Sequence, residues 1–389
     1  MISRLVALIA LIFAGFSVAA QPLSAFVNLQ NQIMVWDDGM IRKIDYLVPQ
    51  SMKIGRIAIP YIDNSRSFKI YYGGGVKTVN IGFTNEYAAT DNLVAFLNAR
   101  SLNVFDHGTI KNLSGLADAY YLGDSVLLFL DGIRREYKAY YNGAVYPIEN
   151  FLAGDAIDVV KVSDNIAAYD NYANQFRIFW HGSLIAQEEY AVSNFDVGRN
   201  TVAYIDINKQ FKIFCNGKTI QAESFPPESF AVGDNVVAYV SNDGYFKIFY
   251  DDKVQTVGFF RPNYKVGDYV VAFRDGSGYF KVFYKGDIIS LENYYPDNYV
   301  VQYNSVAYVN RANVLRLFTE GDVYDVSTMF SNGDASSSDS WELSYDVLKY
   351  RVGLNLYKIY YKGNEYQINL FTSRRLCVRL RSVVLIIPP

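Results

Sequence analysis

The sequence predicts an all-β repeat protein, and two observations support that fold class. A unit of about 35 residues recurs along almost all of the 389 residues, most clearly in Val232–Phe260 and Val266–Tyr295. Each unit has a β-rich run on either side of a tight turn, as in "YFKIFY" before Asp251 and "KVQTV" after Asp252. Together they predict a β-propeller of about ten four-stranded blades.

Ten tight turns set the register of the repeat. Nine end in glycine and one in aspartate, which also tolerates a left-handed backbone. A short turn between two β-rich runs is typical of a β-hairpin, so we expect ten hairpins. The marks are Gly39, Gly74, Gly108, Gly143, Gly182, Gly217, Asp252, Gly286, Gly321 and Gly363.

An aromatic residue lies about 13 residues before each hairpin mark, within a further predicted strand. An apolar piece that ends in a turn, "VGD" in the clearest copies, precedes this strand, so each unit offers four short strands. The aromatic marks are Phe26, Tyr61, Phe96, Phe129, Tyr169, Tyr204, Tyr239, Phe273, Tyr308 and Tyr350.

The third strand of the unit is apolar on both of its faces. Phe246 and Ile248 point to one side, and Phe249 points to the other. Such a sheet must be covered on two sides, which the stacked blades of a propeller provide. A β-solenoid or another all-β repeat is the alternative, and no stretch shows the period of a long amphipathic helix.

Composition narrows the partners and the chemistry. The chain is 51% hydrophobic and 19% charged with a net charge of −3, which argues against a nucleic-acid partner because such a partner favours a basic face. Its two cysteines exclude a disulfide scaffold and a cysteine-rich zinc site. No motif for a metal or a cofactor is present, so we expect neither.

The N-terminus predicts a secretory signal peptide. Arg4 precedes an apolar stretch from Leu5 to about Val18, and the small residues Ala19 and Ala20 precede Gln21. A signal anchor is the alternative, although the stretch is short for a membrane span. We therefore expect a signal peptide at 1–20 and a mature chain without a membrane span. That chain would be exported, to the periplasm, the outer surface or the medium.

The array leaves room for one repeat domain at 21–372 and a tail at 373–389. The first unit begins directly with its second strand, so its innermost strand has no nearby source. The segment Ser373–Ile387 could supply that strand and close the ring, which would remove exposed sheet edges. Alternatively, this arginine-rich segment is an atypical end that does not belong to the repeat.

The pattern "D-N-x-V-A-Y" followed by "F-K-I-F-Y-x-G" resembles the class of short-blade bacterial β-propellers that includes TolB-like and WD40-like repeats. The resemblance covers nearly all of the mature chain and lies at the level of the fold, without a WD dipeptide. It implies a binding platform more often than an enzyme, and function does not follow from fold alone.

A basic residue recurs in the third strand of eight units, as in Lys212 and Lys247. A polar partner often follows the second-strand aromatic, as Asp206 does. A ring of cations for an anionic ligand is one interpretation. We favour a structural role within the blades, because a residue that every blade needs usually stabilises the blade.

Catalytic motifs are few. His107 and His181 each precede a hairpin glycine where other units carry Asn, Lys or Asp, so we interpret both as turn residues. Carboxylate pairs for glycoside chemistry stay possible, since they would come together from different blades.

Departures from the repeat indicate the functional face. The interval between hairpin marks rises to 39 between Gly143 and Gly182, and to 42 between Gly321 and Gly363. Both insertions lie between units, on the face where the loops from second to third strands also emerge. We expect this variable face to bind. The candidate binding residues there, each also explicable by ordinary surface or packing roles, are Arg134, Arg135, Tyr172, Arg261, Tyr294 and Trp341.

Two classes of function remain. We favour an exported, non-enzymatic binding or scaffold module for a protein or glycan of the cell envelope or the extracellular space. The alternative is a polysaccharide hydrolase or lyase that uses carboxylates from different blades. A purely structural role is a third possibility.

Overall fold

The computed structural model describes residues 23–28, 30–150, 160–327, 341–353, 356–369 and 383–386. Every regular element in these residues is a β-strand, and the strands form ten antiparallel sheets in chain order. The prediction of an all-β propeller with ten blades is confirmed.

The first five blades contain strands β1 to β19. Blade 1 has three strands, blades 2, 3 and 5 have four, and blade 4 has four that are joined by a fifth strand, Val383–Ile386. Their bounds are β1 Ser24–Val27, β2 Ile33–Asp37 and β3 Met40–Asp45; β4 Ser51–Met52, β5 Ala58–Ile62, β6 Ser67–Tyr72 and β7 Gly75–Ile81; β8 Thr84–Ala89, β9 Leu93–Asn98, β10 Ser101–Asp106 and β11 Thr109–Ser114; β12 Ala117–Leu122, β13 Val126–Asp131, β14 Glu136–Tyr141 and β15 Ala144–Asn150; β16 Val160–Val162, β17 Ile166–Asp170, β18 Phe176–Trp180 and β19 Ser183–Glu188.

The other five blades contain β20 to β39, four strands each, and β40 follows them. Their bounds are β20 Asn194–Gly198, β21 Thr201–Ile205, β22 Phe211–Cys215 and β23 Lys218–Glu223; β24 Ser229–Val232, β25 Val236–Val240, β26 Tyr245–Tyr250 and β27 Lys253–Phe259; β28 Tyr264–Val266, β29 Val270–Arg274, β30 Phe280–Tyr284 and β31 Asp287–Glu292; β32 Tyr299–Gln302, β33 Ser305–Val309, β34 Leu315–Thr319 and β35 Asp322–Ser327; β36 Trp341–Ser344, β37 Val347–Arg351, β38 Leu356–Tyr361 and β39 Asn364–Asn369; and β40 Val383–Ile386.

Antiparallel order gives the ring two different faces. Turns between first and second strands, and hairpins between third and fourth strands, emerge on one face, which we call the hairpin face. Loops between second and third strands, and connections between blades, emerge on the opposite face, which we call the linker face. First strands line the axis, where backbone bonds join the turns of successive blades, as from Asn92 N to Asp124 O at 3.2 Å.

All ten hairpin marks have a positive φ, so the register read from the sequence is confirmed. Gly217 shows why glycine suits this position. Its φ is +82°, and a Cβ atom there would lie 2.9 Å from the ring of Trp180 in the preceding blade. The hairpin is therefore both left-handed and closely packed against its neighbour.

Apolar packing between blades closes the ring. Each of the ten core clusters joins two successive blades. The cluster that contains Trp36 and Tyr361 joins blade 10 to blade 1. Between blades 7 and 8, the rings of Phe246 and Phe273 lie 5.2 Å apart. At the closure, the ring of Trp36 packs edge-on against Tyr361 at 5.5 Å. Both faces of each sheet are thus covered, as the third-strand pattern predicts.

The described part of the tail pairs with blade 4. The three strands of blade 1 correspond to the second, third and fourth strands of the unit, so its innermost strand is missing among the described residues. Val383–Ile386 pairs antiparallel with β12, the first strand of blade 4. Leu122 is opposite Val383 in that register. The rest of the tail, 370–382 and 387–389, lies outside the described residues. Within the described residues, blades 10 and 1 are held together by side-chain packing and share no strand.

A polar contact repeats beside the apolar clusters. Glu223, at the end of β23, accepts hydrogen bonds from Tyr239 Oη at 2.8 Å and Lys247 Nζ at 2.7 Å, both in the next blade. We call this contact the carboxylate lock. Glu188 forms the same lock with Tyr204 and Lys212.

Four of the eight recurring third-strand cations therefore point into the interface with the preceding blade. Lys69 and Arg316 reach back in the same way, to Asp45 at 3.0 Å and to Glu292 at 2.8 Å. Lys138 binds Asp131 of its own blade at 2.5 Å. These contacts confirm a structural role for the cations and argue against a ring that faces a ligand.

The lock predicts a large loss of stability for Tyr239→Ala. Tyr239 is fully buried, so its removal leaves a cavity and takes one of the hydrogen bonds from Glu223, and we expect a cost of about 3–5 kcal/mol in the free energy of unfolding. Chemical denaturation measures it, with Tyr245→Ala in the same blade as the exposed control. Tyr204→Ala and Phe273→Ala should behave like Tyr239→Ala. An unchanged melting temperature for Tyr239→Ala would contradict this interpretation.

Candidate functional site

The linker face differs from the rest of the surface in its apolar side chains. Among the described residues, the seven most exposed large hydrophobic side chains are 61% to 69% exposed, and all seven lie on this face. They occupy connections between blades, or the loop between the second and third strands of blade 4. We call them the linker-face belt: Tyr46, Ile81, Phe83, Ile133, Tyr190, Phe225 and Phe259.

The repeat explains where the belt residues stand. The fourth strand of each blade is outermost, and its end leaves the sheet towards the next blade. Phe259 ends β27 and packs edge-on against Tyr245 at 5.1 Å, while Phe225 follows β23 by two residues. Neither side chain can turn into an interface between blades, because those interfaces are already filled by the second- and third-strand side chains. The apolar groups therefore face solvent.

Three predicted residues lie in one sector of this face. Arg134 and Arg135 are exposed in the loop between β13 and β14, directly after the belt residue Ile133. Tyr172 is exposed in the corresponding loop of blade 5. This sector combines an apolar side chain with two cations, an arrangement suited to a partner that has both apolar and acidic groups.

Arg261 and Tyr294 lie on the linker face at blades 7 to 9, away from that sector. Arg261 donates to both carboxylate oxygens of Glu228, at 2.6 Å each, and these hydrogen bonds hold the pKa of Glu228 below its ordinary value. Tyr294 accepts a hydrogen bond from Arg311 N at 2.6 Å, and the Arg311 guanidinium lies 4.1 Å from its ring centre. The structure thus places the predicted residues on one face without gathering them into one site.

Trp341 does not belong to that face. It begins β36, is only 6% exposed, and packs in the core cluster between blades 9 and 10. The candidate was chosen because it follows the long insertion, but the next blade has already begun at this residue. The inserted segments themselves, 151–159 and 328–340, lie outside the described residues.

Sequence reasoning missed the belt. Phe225 stands beside a proline, as Tyr295 does, and yet its side chain is 64% exposed. Its counterpart Tyr295 does pack inside, 5.7 Å from the ring of Phe280. The available signal was the recurrence of apolar residues one or two positions after a fourth strand, where a turn to solvent is expected.

Carboxylates from different blades do meet at the axis. Asp91, Asp124 and Asp164 come from the first turns of blades 3, 4 and 5, and all three are buried. Asp91 N donates to Asp124 Oδ1 at 2.9 Å, and the carboxyl groups of Asp124 and Asp164 are hydrogen bonded to each other. Tyr303 of blade 9 donates to Asp91 Oδ1 at 3.1 Å, which ties two distant blades together.

Burial and neighbouring charge keep a proton in this axial cluster. Desolvation raises the pKa of Asp124 well above its ordinary value, and the hydrogen bond with Asp164 and the negative charges of Asp164 and Asp91 raise it further. The neutral form of the Asp124 carboxyl group is therefore favoured over its charged form. Because the groups are buried, a polysaccharide cannot reach them in this structure.

Asp124→Asn should change how stability depends on pH. A carboxyl whose pKa is raised on folding favours the folded state below its unfolded pKa of about 3.9, and this contribution is lost as pH rises towards the folded value. Asparagine keeps a donor towards Asp164 at every pH. The variant should therefore gain stability over the natural protein as pH rises from about 4 to 7. Denaturation at several pH values tests this, with the exposed Asp287→Asn as control; identical pH profiles for natural protein and Asp124→Asn would contradict it.

Two searches of the described residues concern metals and membranes. No group of three or more His, Cys, Asp or Glu side chains in this part of the chain is arranged to hold a metal ion. The same residues include no helix with the length and apolar character required to cross a membrane.

Several solved structures are similar to the chain. They include the CRINKLY WD40 ectodomain of the Arabidopsis thaliana receptor kinase ACR4, with 12% identity, coverage of 62% of this chain and 98% of that one, and a TM-score of 0.32. Prp20p from Saccharomyces cerevisiae shows 11% identity, 64% and 90% coverage, and a TM-score of 0.30. A eukaryotic initiation factor shows 11% identity, 81% and 96% coverage, and a TM-score of 0.41. Likeness at such identities extends to the fold alone.

Among curated proteins, none matches the chain. A family model described as the 10-bladed beta propeller domain matches residues 17–366, which covers nearly the whole array. The match agrees with the ten sheets of the structure and confirms the propeller resemblance noted in the sequence. The chain therefore belongs to the family of 10-bladed β-propeller domains.

Proposed function

We propose that this propeller is an exported, non-enzymatic binding or scaffold module, and that its linker face docks a protein or glycan of the cell envelope or the extracellular space. The export part rests on the residues Met1–Ala20, whose basic start, apolar stretch and small residues are typical of a signal peptide. The binding part rests on the linker-face belt.

The belt is the observation that carries this proposal. Exposed apolar side chains are common when scattered, but here the seven most exposed ones share one face of the ring. A concentration of this kind is typical of a surface that meets a partner. The hairpin face and the outer strands have less exposed groups, such as Val254 at 36% and Ile288 at 38%.

A protein partner suits the belt better than a glycan does. Aliphatic members such as Ile81 and Ile133 offer no polar group to sugar hydroxyls, whereas they fit the apolar core of a protein interface. Arg134 and Arg135 stand beside Ile133, and arginine at the edge of an apolar centre is frequent in such interfaces. We therefore expect a protein with an apolar surface bordered by acidic groups.

The enzymatic alternative finds less support. A hydrolase or lyase with carboxylates from several blades needs those carboxylates in an open cleft. The three that meet at the axis are buried and hydrogen bonded to one another or to Tyr303. A structural role at the axis accounts for these contacts.

The double variant Phe225→Ser/Phe259→Ser should weaken partner binding. Removal of two exposed apolar anchors should cost about 2 kcal/mol or more in binding, and should leave the melting temperature nearly unchanged because both are mostly in water. Capture of envelope proteins on the immobilised propeller, quantified by mass spectrometry, measures it. The matched control is Val254→Ser/Ile288→Ser on the outer strands of blades 7 and 8. Equal losses in both variants, or none in either, would contradict a role for the belt.

Arg134→Ser/Arg135→Ser should also weaken capture, and more strongly at low salt, because exposed charges act mainly through screened electrostatics. The melting temperature should again change little. A salt-independent effect would show that the two arginines act through packing and would remove them from the proposed interface.

Export has its own test. In a bacterial host, the full chain should be processed to a protein that begins near Gln21, and this product should be found in the periplasm, on the outer surface or in the medium. Intact mass and N-terminal sequencing of each cell fraction measure this. An unprocessed chain confined to the cytoplasm would refute export without affecting the binding test.

A further inference from the structure

A groove of about 410 Å³ opens on the hairpin face between blades 3 and 4, opposite the linker face. The first turns of both blades form its floor, and their hairpins form its walls. Six polar or aromatic residues provide most of its lining: Asn92, His107, Lys111, Ser125, Tyr141 and Asn142. A volume of this size holds a small ligand or one to two sugar rings.

The groove exists because blade 3 departs from the repeat. In four other blades the last residue of the third strand is an aromatic whose ring packs beside the glycine of the next hairpin, as Tyr72 does at Gly108. In blade 3 this residue is Asp106. Three residues after the hairpin glycine, where blade 4 has Tyr146 packed beside Gly182, blade 3 has Lys111. Two rings are thus missing, and space remains beneath the hairpin of blade 4.

The only carboxylate in the lining is already engaged. Asp106 Oδ2 accepts a hydrogen bond from Tyr140 at 2.6 Å, and its Oδ1 lies 2.5 Å from His107 Nδ1. With a proton on Nδ1, the ring donates towards Asp106 and presents Nε2 as a hydrogen-bond acceptor for another partner. The His107 side chain is 62% exposed, so a ligand in the groove can reach it.

The other lining groups suit a ligand with hydroxyls and negative charge. Lys111 Nζ donates to Gly143 O at 2.6 Å and, as an ammonium, has further protons to donate. Asn92 and Asn142 provide amide groups, and Ser125 provides a hydroxyl. Tyr141 adds an aromatic ring. This ring stacks nearly parallel with the His181 ring of blade 5, and the two ring centres are 6.0 Å apart.

We propose that this groove is a binding site for an acidic saccharide, a polyol that bears a carboxylate or phosphate. The Lys111 ammonium meets the anionic group, His107 Nε2 accepts a hydrogen bond from a sugar hydroxyl, and the amides, the Ser125 hydroxyl and the Tyr141 ring meet the rest of the sugar. The only two histidines of the chain flank the blade 4 hairpin, so the sequence departs from the repeat at the same place as the structure does. The site lies on the face opposite the linker-face belt, and it does not depend on the proposed function there.

The propeller contains its own comparison site. Between blades 1 and 2, Asp37 accepts a hydrogen bond from Tyr71 at 2.6 Å, as Asp106 does from Tyr140, and Arg42 takes the position of Lys111. The residue at the position of His107 is Asp38, with nearly the same φ of +48° against +44°. His107→Asp therefore gives the blade 3 hairpin the residue that blade 1 already accepts, and it places a negative charge in the groove.

Titration calorimetry on the full mature chain tests the site with three probes: hexagalacturonate as the carboxylate, glucose 6-phosphate as the phosphate, and cellohexaose as the neutral sugar. We expect one or both acidic probes to bind, with a Kd that rises with salt, and cellohexaose to bind at least tenfold more weakly. His107→Asp should weaken the acidic probe at least tenfold, and Lys111→Gln should also weaken it. Lys285→Asp, at the equivalent hairpin position of blade 8, is the control and should change the Kd by less than twofold.

The outcomes decide between alternatives. A carboxylate-only or a phosphate-only response identifies the anionic group and supports the site. No binding of either acidic probe, preference for cellohexaose, or an equal effect of His107→Asp and Lys285→Asp would overturn it. Thermal unfolding of each variant distinguishes loss of the ligand from loss of the fold, and capture through the linker face should be unaffected in all of them.

Discussion

Every blade of this protein is apolar on both sides, and that constraint determines the rest of the structure. Side chains such as Phe246 must be covered by the next blade, so each sheet is stable only between two neighbours. The tenth interface, where Trp36 meets Tyr361, covers the two ends of the array against each other. Closure thus follows from the sequence pattern itself, even though blade 1 has three strands in the part of the chain that the structure describes.

Polar groups make the same closure specific. The carboxylate lock from Glu223 to Tyr239 and Lys247 joins consecutive blades at one fixed register, and the contact of Tyr303 with Asp91 joins distant blades across the axis. Repeated polar residues are therefore used inside the ring. Two surfaces depart from the repeat or stay uncovered: the linker-face belt on one side and the groove beside His107 on the other.

The repeat was predictable because hairpin glycines and buried aromatics depend on local backbone geometry and on burial, which leave a periodic trace. Exposure was less predictable, since Phe225 and Tyr295 look alike in the sequence but only Tyr295 finds a ring to pack against. Trp341 was placed on the surface because the end of an insertion has no sequence signal as clear as a hairpin. The pairing of Val383–Ile386 with β12 could not be predicted, because it uses backbone groups that any apolar segment could supply.

Photocrosslinking in cells tests the central claim most directly, namely that the linker face is the surface that meets a partner. A photoreactive residue placed at Phe225 or Phe259, and separately at Val254 or Ile288, samples the belt and the outer strands at similar blades. We predict one discrete crosslinked protein from the belt positions and none from the outer strands. The same product from all four positions, or products from the outer strands alone, would contradict the account.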